Sequence, residues 1–212
     1  MRSVARALPA LLLTLFPPSI LPAQTACLAP TGSVPPCMVG IWSGSNDMVE
    51  RMDAIFATLP DDVVAQMVPT SGQYLFLRVL RNGNFATSPT EAQADMAFLT
   101  ENGADEVMIA VQTYGMSGYF TAGPGDALAY CKWSSGPDTM TTESTVDGAT
   151  YQQITPLPAF GTSSVPFRYE CAGNSMNIFM DLPPPMGTIT YTMTKVNESA
   201  LPADVVDILM GD

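Results

Sequence analysis

Residues 165–171 read Val-Pro-Phe-Arg-Tyr-Glu-Cys and residues 188–194 read Thr-Ile-Thr-Tyr-Thr-Met-Thr. In the first stretch Val165, Phe167, Tyr169 and Cys171 share one face and Pro166, Arg168 and Glu170 the other. In the second, Ile189, Tyr191 and Met193 oppose Thr188, Thr190, Thr192 and Thr194. A period of two is the signature of a half-buried β-strand. Working outward, turn signals separate similar runs along most of the chain. Asn82-Gly83 follows the β-branched and aliphatic run Tyr74 to Leu80, and Asp147-Gly148 divides Thr141–Val146 from Thr150–Thr155; both dipeptides favour hairpins. Further reversals are offered at Glu101-Asn102-Gly103, Gly123-Pro124-Gly125, Gly136-Pro137-Asp138, Gly173-Asn174 and Pro183–Gly187. The runs between these signals amount to about ten strands, with no helical stretch among them long enough for a parallel crossover. The expected fold is all-β: an antiparallel meander that curls and closes into a barrel, which removes exposed edges. A sandwich of the same strands is the alternative.

Val39–Gly44 reads as the strand that opens this domain. Ser45-Asn46-Asp47 offers a helix start, and Met48, Met52, Ile55 and Phe56 recur at helical spacing, which predicts a helix at about 47–57. Pro60-Asp61-Asp62 begins a second expected helix at 61–67, with proline and acids in its first turn. Pro202–Met210 reads as a short amphipathic helix against the barrel, a lid or a cap on the core. The expected organisation is a signal peptide at 1–23, a disulfide-pinned loop at 24–38, the barrel domain at 39–196 and a C-terminal tail at 197–212.

The signal peptide is read from Arg2 and Arg6, the apolar run Ala7–Phe16, the break at Pro17-Pro18 and the small residues Ala23 and Ala26. The run is shorter than the roughly 20 residues of a membrane span, so export without membrane insertion is expected, into a periplasmic or secreted location. Losing both arginines takes the basic count from 8 to 6 against 20 acids, and the net charge from −12 to −14. Such a chain repels phosphate backbones and anionic membranes, so no nucleic-acid partner is expected, and acidity reads as a device for solubility. In an oxidising compartment Cys27, Cys37, Cys131 and Cys171 are expected to form two disulfides. The favoured pairing is Cys27 with Cys37 across the proline-rich loop and Cys131 with Cys171 between strand ends, a lipidated Cys27 being the rival.

Gly40-Ile41-Trp42 on the first strand, followed by a pair of short helices and a run of antiparallel strands, resembles the calycin group, and the helical insert is more similar to fatty-acid-binding proteins than to lipocalins. The resemblance covers about residues 38–196. It implies that Lys195, near the end of the last strand, packs across Trp42. The Arg-x-Tyr pair that holds a carboxylate in fatty-acid-binding proteins is here the adjacent Arg168 and Tyr169, which alternate to opposite faces.

The chain has no histidine, which excludes a Ser-His-Asp triad and imidazole metal sites. Glu143, Glu170 and Asp126 are the carboxylates placed where a two-acid hydrolase would need them, but most acids flank turns or helix starts, where solvation and capping explain them. The 14 methionines suit a copper(I) site less well than an adaptable apolar core, since no histidine or dense Met-x-x-Met array accompanies them. No catalytic residue, metal or cofactor is assigned. Two functions stay open. In the first, Phe167, Tyr169, Tyr191 and Met193 line a pocket for a small apolar ligand, with Arg78 as the inward-capable cation. In the second, the barrel is simply packed and serves as a structural or interaction module for an envelope protein partner.

Overall fold

The computed structural model describes residues 25–68, 75–101, 103–123, 127–135, 138–156 and 163–210; the segment read as a signal peptide lies outside them, as does Asp126. Among the described residues fourteen strands are present. After the two-residue β1 (Thr25–Ala26), eight strands form a closed antiparallel ring: β2 (Gly40–Asn46), β4 (Leu75–Val79), β5 (Asn84–Thr87), β8 (Met116–Ala122), β9 (Leu128–Ser135), β12 (Ser163–Ala172), β13 (Ser175–Asp181) and β14 (Thr188–Val196). Each pairs with its neighbours in this order. The pairing of Val165 with Tyr130 between β12 and β9 completes the circle, as does that of Lys195 with Trp42 between β14 and β2. The expected closed barrel is therefore the architecture.

The two ends of the ring differ. At one end the strands are joined by tight reversals at Leu80–Gly83 and Gly173-Asn174, and the Gly123 amide donates to the Ala127 carbonyl where β8 gives way to β9. At Leu80 the Gly83 amide donates to the Leu80 carbonyl and the Leu80 amide to the Asn84 carbonyl. With Gly83 at φ +88°, this is a type I turn closed by a left-handed glycine. At the other end three connections are long and carry a second, five-stranded antiparallel sheet of order β11-β10-β7-β6-β3. Its strands are β3 (Val63–Val68), β6 (Thr90–Thr100), β7 (Gly103–Thr113), β10 (Thr139–Val146) and β11 (Ala149–Pro156). β3 comes from the β2–β4 connection, the β6–β7 hairpin from β5–β8, and the β10–β11 hairpin from β9–β12. This end is called the mouth below.

Residues 34–39 plug the opposite end. Pro36–Met38 form one 3-10 turn, and Val34 and Met38 are buried in the same cluster as Trp42, Leu77, Val79, Phe85, Phe120, Phe167, Met176 and Met193. The Trp42 indole Nε1–H donates to the Met38 carbonyl oxygen at 2.8 Å, and the Lys195 ammonium lies 5.3 Å from the indole ring centroid. A buried indole donor needs such an acceptor, and the cation meets the negative face of the ring. Gly44 lets β2 and β14 approach there: a Cβ on it would collide with the Thr192 carbonyl oxygen.

The disulfides differ from the expected pairing. Cys27 bonds Cys131 and Cys37 bonds Cys171, with Cα–Cα distances of 5.8 and 5.9 Å. β1 pairs with Ser163 and Ser164 at the mouth, after which the chain descends the outside of the barrel: the Leu28 carbonyl accepts from Tyr119 Oη, Ala29 from Thr121 Oγ1, and the Thr31 amide donates to the Phe120 carbonyl. Cys27 thus lies over the outward Cys131, and Cys37, in the plug, meets the inward Cys171. The chain runs from Cys27, level with Cys131 midway along β9, down to Cys37 in the plug, so each cysteine meets a different strand and the local bridge does not form.

The expected helix at 61–67 is the strand β3. A turn at Asp61-Asp62 ends in Val63, and the alternation Val63, Ala65, Met67 against Val64, Gln66, Val68 pairs with β6 over its whole length. Two adjacent β-branched residues and a partner strand outweigh the proline and acids that favoured a helix start. The first helix is present as α1 (Met48–Phe56). Asn46 Oδ1 accepts from the Met48 amide. Asp47 holds the helix to the mouth: its Oδ2 accepts from Arg51 Nε and Nη2 at 2.9 and 2.7 Å, and its Oδ1 from the Thr190 amide at 2.8 Å. The Arg51 hydrogen bonds, and then the Thr190 amide, outweigh burial and hold the Asp47 carboxyl below its ordinary pKa. The C-terminal helix α2 (Ala203–Met210) lies against the outer face of β4 and β5, with Val205 and Leu209 buried, so it covers the barrel wall and is not a lid.

Candidate functional site

Strand alternation decides what the barrel interior contains. Phe167, Tyr169, Tyr191 and Met193 all point inward, as their spacing required. Phe167 and Met193 are buried within the core cluster, and Tyr169 and Tyr191 pack against it half-exposed. Arg78 does not join them. Leu77 and Val79 take the inward positions on β4, so Arg78 points outward, where its Nη1 donates to the Leu209 carbonyl at the C-terminal end of α2, 2.9 Å away. A guanidinium at the exposed carbonyls of a helix end is favourably placed. Its task is to dock α2, and the expectation of an inward cation on β4 is corrected.

The interior is graded along its axis. Near the plug, Trp42, Val79, Phe85, Phe120, Met176 and Met193 are buried. An aromatic chain runs across the ring there: Phe85 lies 4.9 Å from Phe120 and 6.0 Å from Tyr130, and Phe120 lies 5.4 Å from Phe167 (ring centroids). These are ordinary packing distances. Toward the mouth, Leu75, Val165, Ile178, Met180 and Tyr191 face inward yet keep part of their surface accessible, while Thr87 and Ile189 are buried at that level.

Tyr130 sits where the two regimes meet. It lies inward on β9 opposite Phe120 and Val165, with its ring against Phe85 and Phe167. Burial, with Tyr191 as a smaller second cause, pushes its hydroxyl up to about pKa 12. Burial likewise raises Tyr191, against the Asn46 side chain, which pulls it down. Tyr130 is half-buried, and no hydrogen-bond partner for its hydroxyl is found among the described residues. Periodicity does not single this residue out: Leu128, Ala129, Tyr130 and Cys131 are all apolar or aromatic, so neither face of β9 stands out. Cys131 and Ala129 are buried too, but on the outside, under the descending N-terminal segment. Among the barrel side chains described, the inward charge is Lys195, engaged on Trp42.

The carboxylates lie elsewhere. Glu170 is exposed on the outer face of β12. Glu143 stands on β10 opposite Met108, which stands opposite Asp95 on β6. With Glu106 these line a concavity of about 380 Å³ on the polar face of the second sheet, together with Val64 and Gln66. Asp95 and Glu106 are exposed, as acids that keep a sheet face hydrated would be. No group of three or more Cys, Asp or Glu side chains with metal-binding geometry occurs among the described residues, and no described helix is long and apolar enough to cross a membrane. No protein-family model, curated protein or solved structure matches this chain.

Proposed function

We propose that this chain is an exported, non-enzymatic barrel protein that binds a small, largely apolar and uncharged ligand in the mouth-side half of its barrel. The observation that carries this reading is Tyr130, half-buried at the inner end of the mouth, its ring against Phe85 and Phe167 and its hydroxyl without a partner among the described residues. A phenol that gives up water without gaining a partner loses up to about 1–3 kcal/mol, and a ligand oxygen or nitrogen would remove that cost. The half-exposed ring of Leu75, Val165, Ile178, Met180 and Tyr191 supplies apolar contact around it. An apolar wall with few convergent polar groups is the usual make-up of a small-molecule site. The apolar wall favours a neutral ligand over a carboxylate, whose charge would be costly to take out of water there. The resemblance to calycins points the same way, through Gly40-Ile41-Trp42 on the first barrel strand and Lys195 over the indole on the last.

The test has two arms. Mass spectrometry under native conditions, on protein from its own source, should reveal a co-purifying neutral apolar molecule. Titration with the neutral dye N-phenyl-1-naphthylamine should give saturable fluorescence that Ile178→Trp, which fills the mouth half, abolishes. Absence of both signals would leave the second reading, a packed interaction module, for which the aromatic chain from Phe85 to Phe167 is the favouring observation.

A further inference from the structure

The second sheet has two edges, and the described residues cover only one. At β3, α1 lies alongside, and Asp53 Oδ1 accepts from the outward Met67 amide at 2.9 Å. The opposite edge, β11, has no such cover among the described residues. All eight of its residues but Thr155 are exposed, Tyr151 and Ile154 at 63% each. It pairs with β10 through eight consecutive positions without a bulge, from Val146–Ala149 to Thr139–Pro156. Its sequence, Ala-Thr-Tyr-Gln-Gln-Ile-Thr-Pro, has no charge and no proline before its last position. Edge strands are ordinarily blunted by charge, proline, bulges or cover, and this one uses none of them inside its span.

The backbone register of that edge is fixed by its turn. Asp147 and Gly148 have φ of +52° and +77°, the type I′ geometry of a two-residue hairpin, in which the flanking pair Val146–Ala149 is hydrogen-bonded. The amide and carbonyl groups of Thr150, Gln152 and Ile154 therefore point away from β10.

We propose that β11 pairs antiparallel with β11 of a second copy of this chain, about a two-fold axis at Gln152, joining two five-stranded sheets into one continuous sheet. In that register Thr150 faces Ile154 of the partner and Gln152 faces its own copy, so the three outward backbone pairs on each strand are satisfied. On the other sheet face, each Tyr151 ring lies beside the partner's Gln153. Charge selects a second copy at this edge. The chain carries a net charge of −12, so two copies meet most easily where neither presents a carboxylate, and β11 is such a strand while β6, β7 and β10 all carry acids. Two short strands and their flanks bury less than about 1,200 Å², the range of reversible contacts.

Sedimentation velocity of the full chain should show monomer giving way to dimer, with a dissociation constant of order 10 µM. Gln152→Pro removes an outward donor, and Ile154→Lys adds a like charge to each partner. Each should raise the dissociation constant at least tenfold while leaving circular dichroism and the melting temperature as in the parent. Amide exchange at Thr150, Gln152 and Ile154 should slow with concentration in the parent only. Any of three results overturns the proposal: monomer at every concentration, a dimer indifferent to both substitutions, or assemblies larger than two, which a single free edge cannot build.

Discussion

At the scale of single residues, two side chains carry the most specific consequences. Trp42 is buried, gives its indole hydrogen to Met38 and receives the Lys195 cation. Trp42→Phe leaves the Met38 carbonyl without its donor and a gap beside it, and is expected to cost about 2–4 kcal/mol. Lys195→Met keeps the bulk and removes the charge, at about 0.5–1 kcal/mol. Urea unfolding midpoints would rank the two, and equal costs would contradict the assigned hydrogen bond. Tyr130 makes a spectroscopic prediction. Its folded pKa of about 12 lies above the ordinary tyrosine value near 10. The neutral phenol is the form the fold favours, so its contribution to stability is complete below pH 10 and is lost as pH rises toward 12. Absorbance of tyrosinate at 295 nm should show a late step that Tyr130→Phe removes, and a bound ligand should delay that step further.

Among the elements, the disulfides and hairpins show which parts of the fold could be read from the sequence. The alternation in β12 and β14 put Phe167, Tyr169, Tyr191 and Met193 inward because a strand's period is two whatever its neighbours do. Arg78 was misplaced for a reason of the same kind: with apolar residues on both sides of β4, periodicity did not say which face met the core, and the answer lay in α2, about 130 residues later. β3 was missed because Pro60-Asp61-Asp62 is a good helix start in isolation, and pairing with β6 is a long-range event. The cysteine pairing depended on the path of residues 27–37 down the barrel, which no local signal records. Peptide mapping without reduction should recover Cys27 linked to Cys131 and Cys37 to Cys171. Removing either bridge as a Ser pair should cost about 2–5 kcal/mol, the closed loops being long. Only Cys37→Ser/Cys171→Ser should also red-shift the tryptophan emission, because it frees the plug beneath Trp42.

For the whole molecule, charge and topology act over distances no single contact spans. Twenty acids against eight bases make the compact state repel itself, and added salt screens charges beyond about 8–10 Å at 0.1–0.15 M. Differential scanning calorimetry at pH 7 should therefore show the melting temperature rising from 10 mM to 500 mM sodium chloride, and a fall would mean that favourable ion pairs dominate. The described pairs argue against that: Arg51 with Asp47 and Arg168 with Asp181, the second at 3.4 Å and well exposed. The ring closes where Trp42 meets Lys195, between the first barrel strand and the last. A polypeptide made from its N-terminus forward must hold β2 unpaired on one side until β14 follows, after the eleven strands β3 to β13. Closure is thus a late event governed by contacts far apart in sequence, slow by the standard of domains built from local pairs. A released chain truncated before Thr188 should be cut by proteases at β2, and one extended past Val196 should resist them.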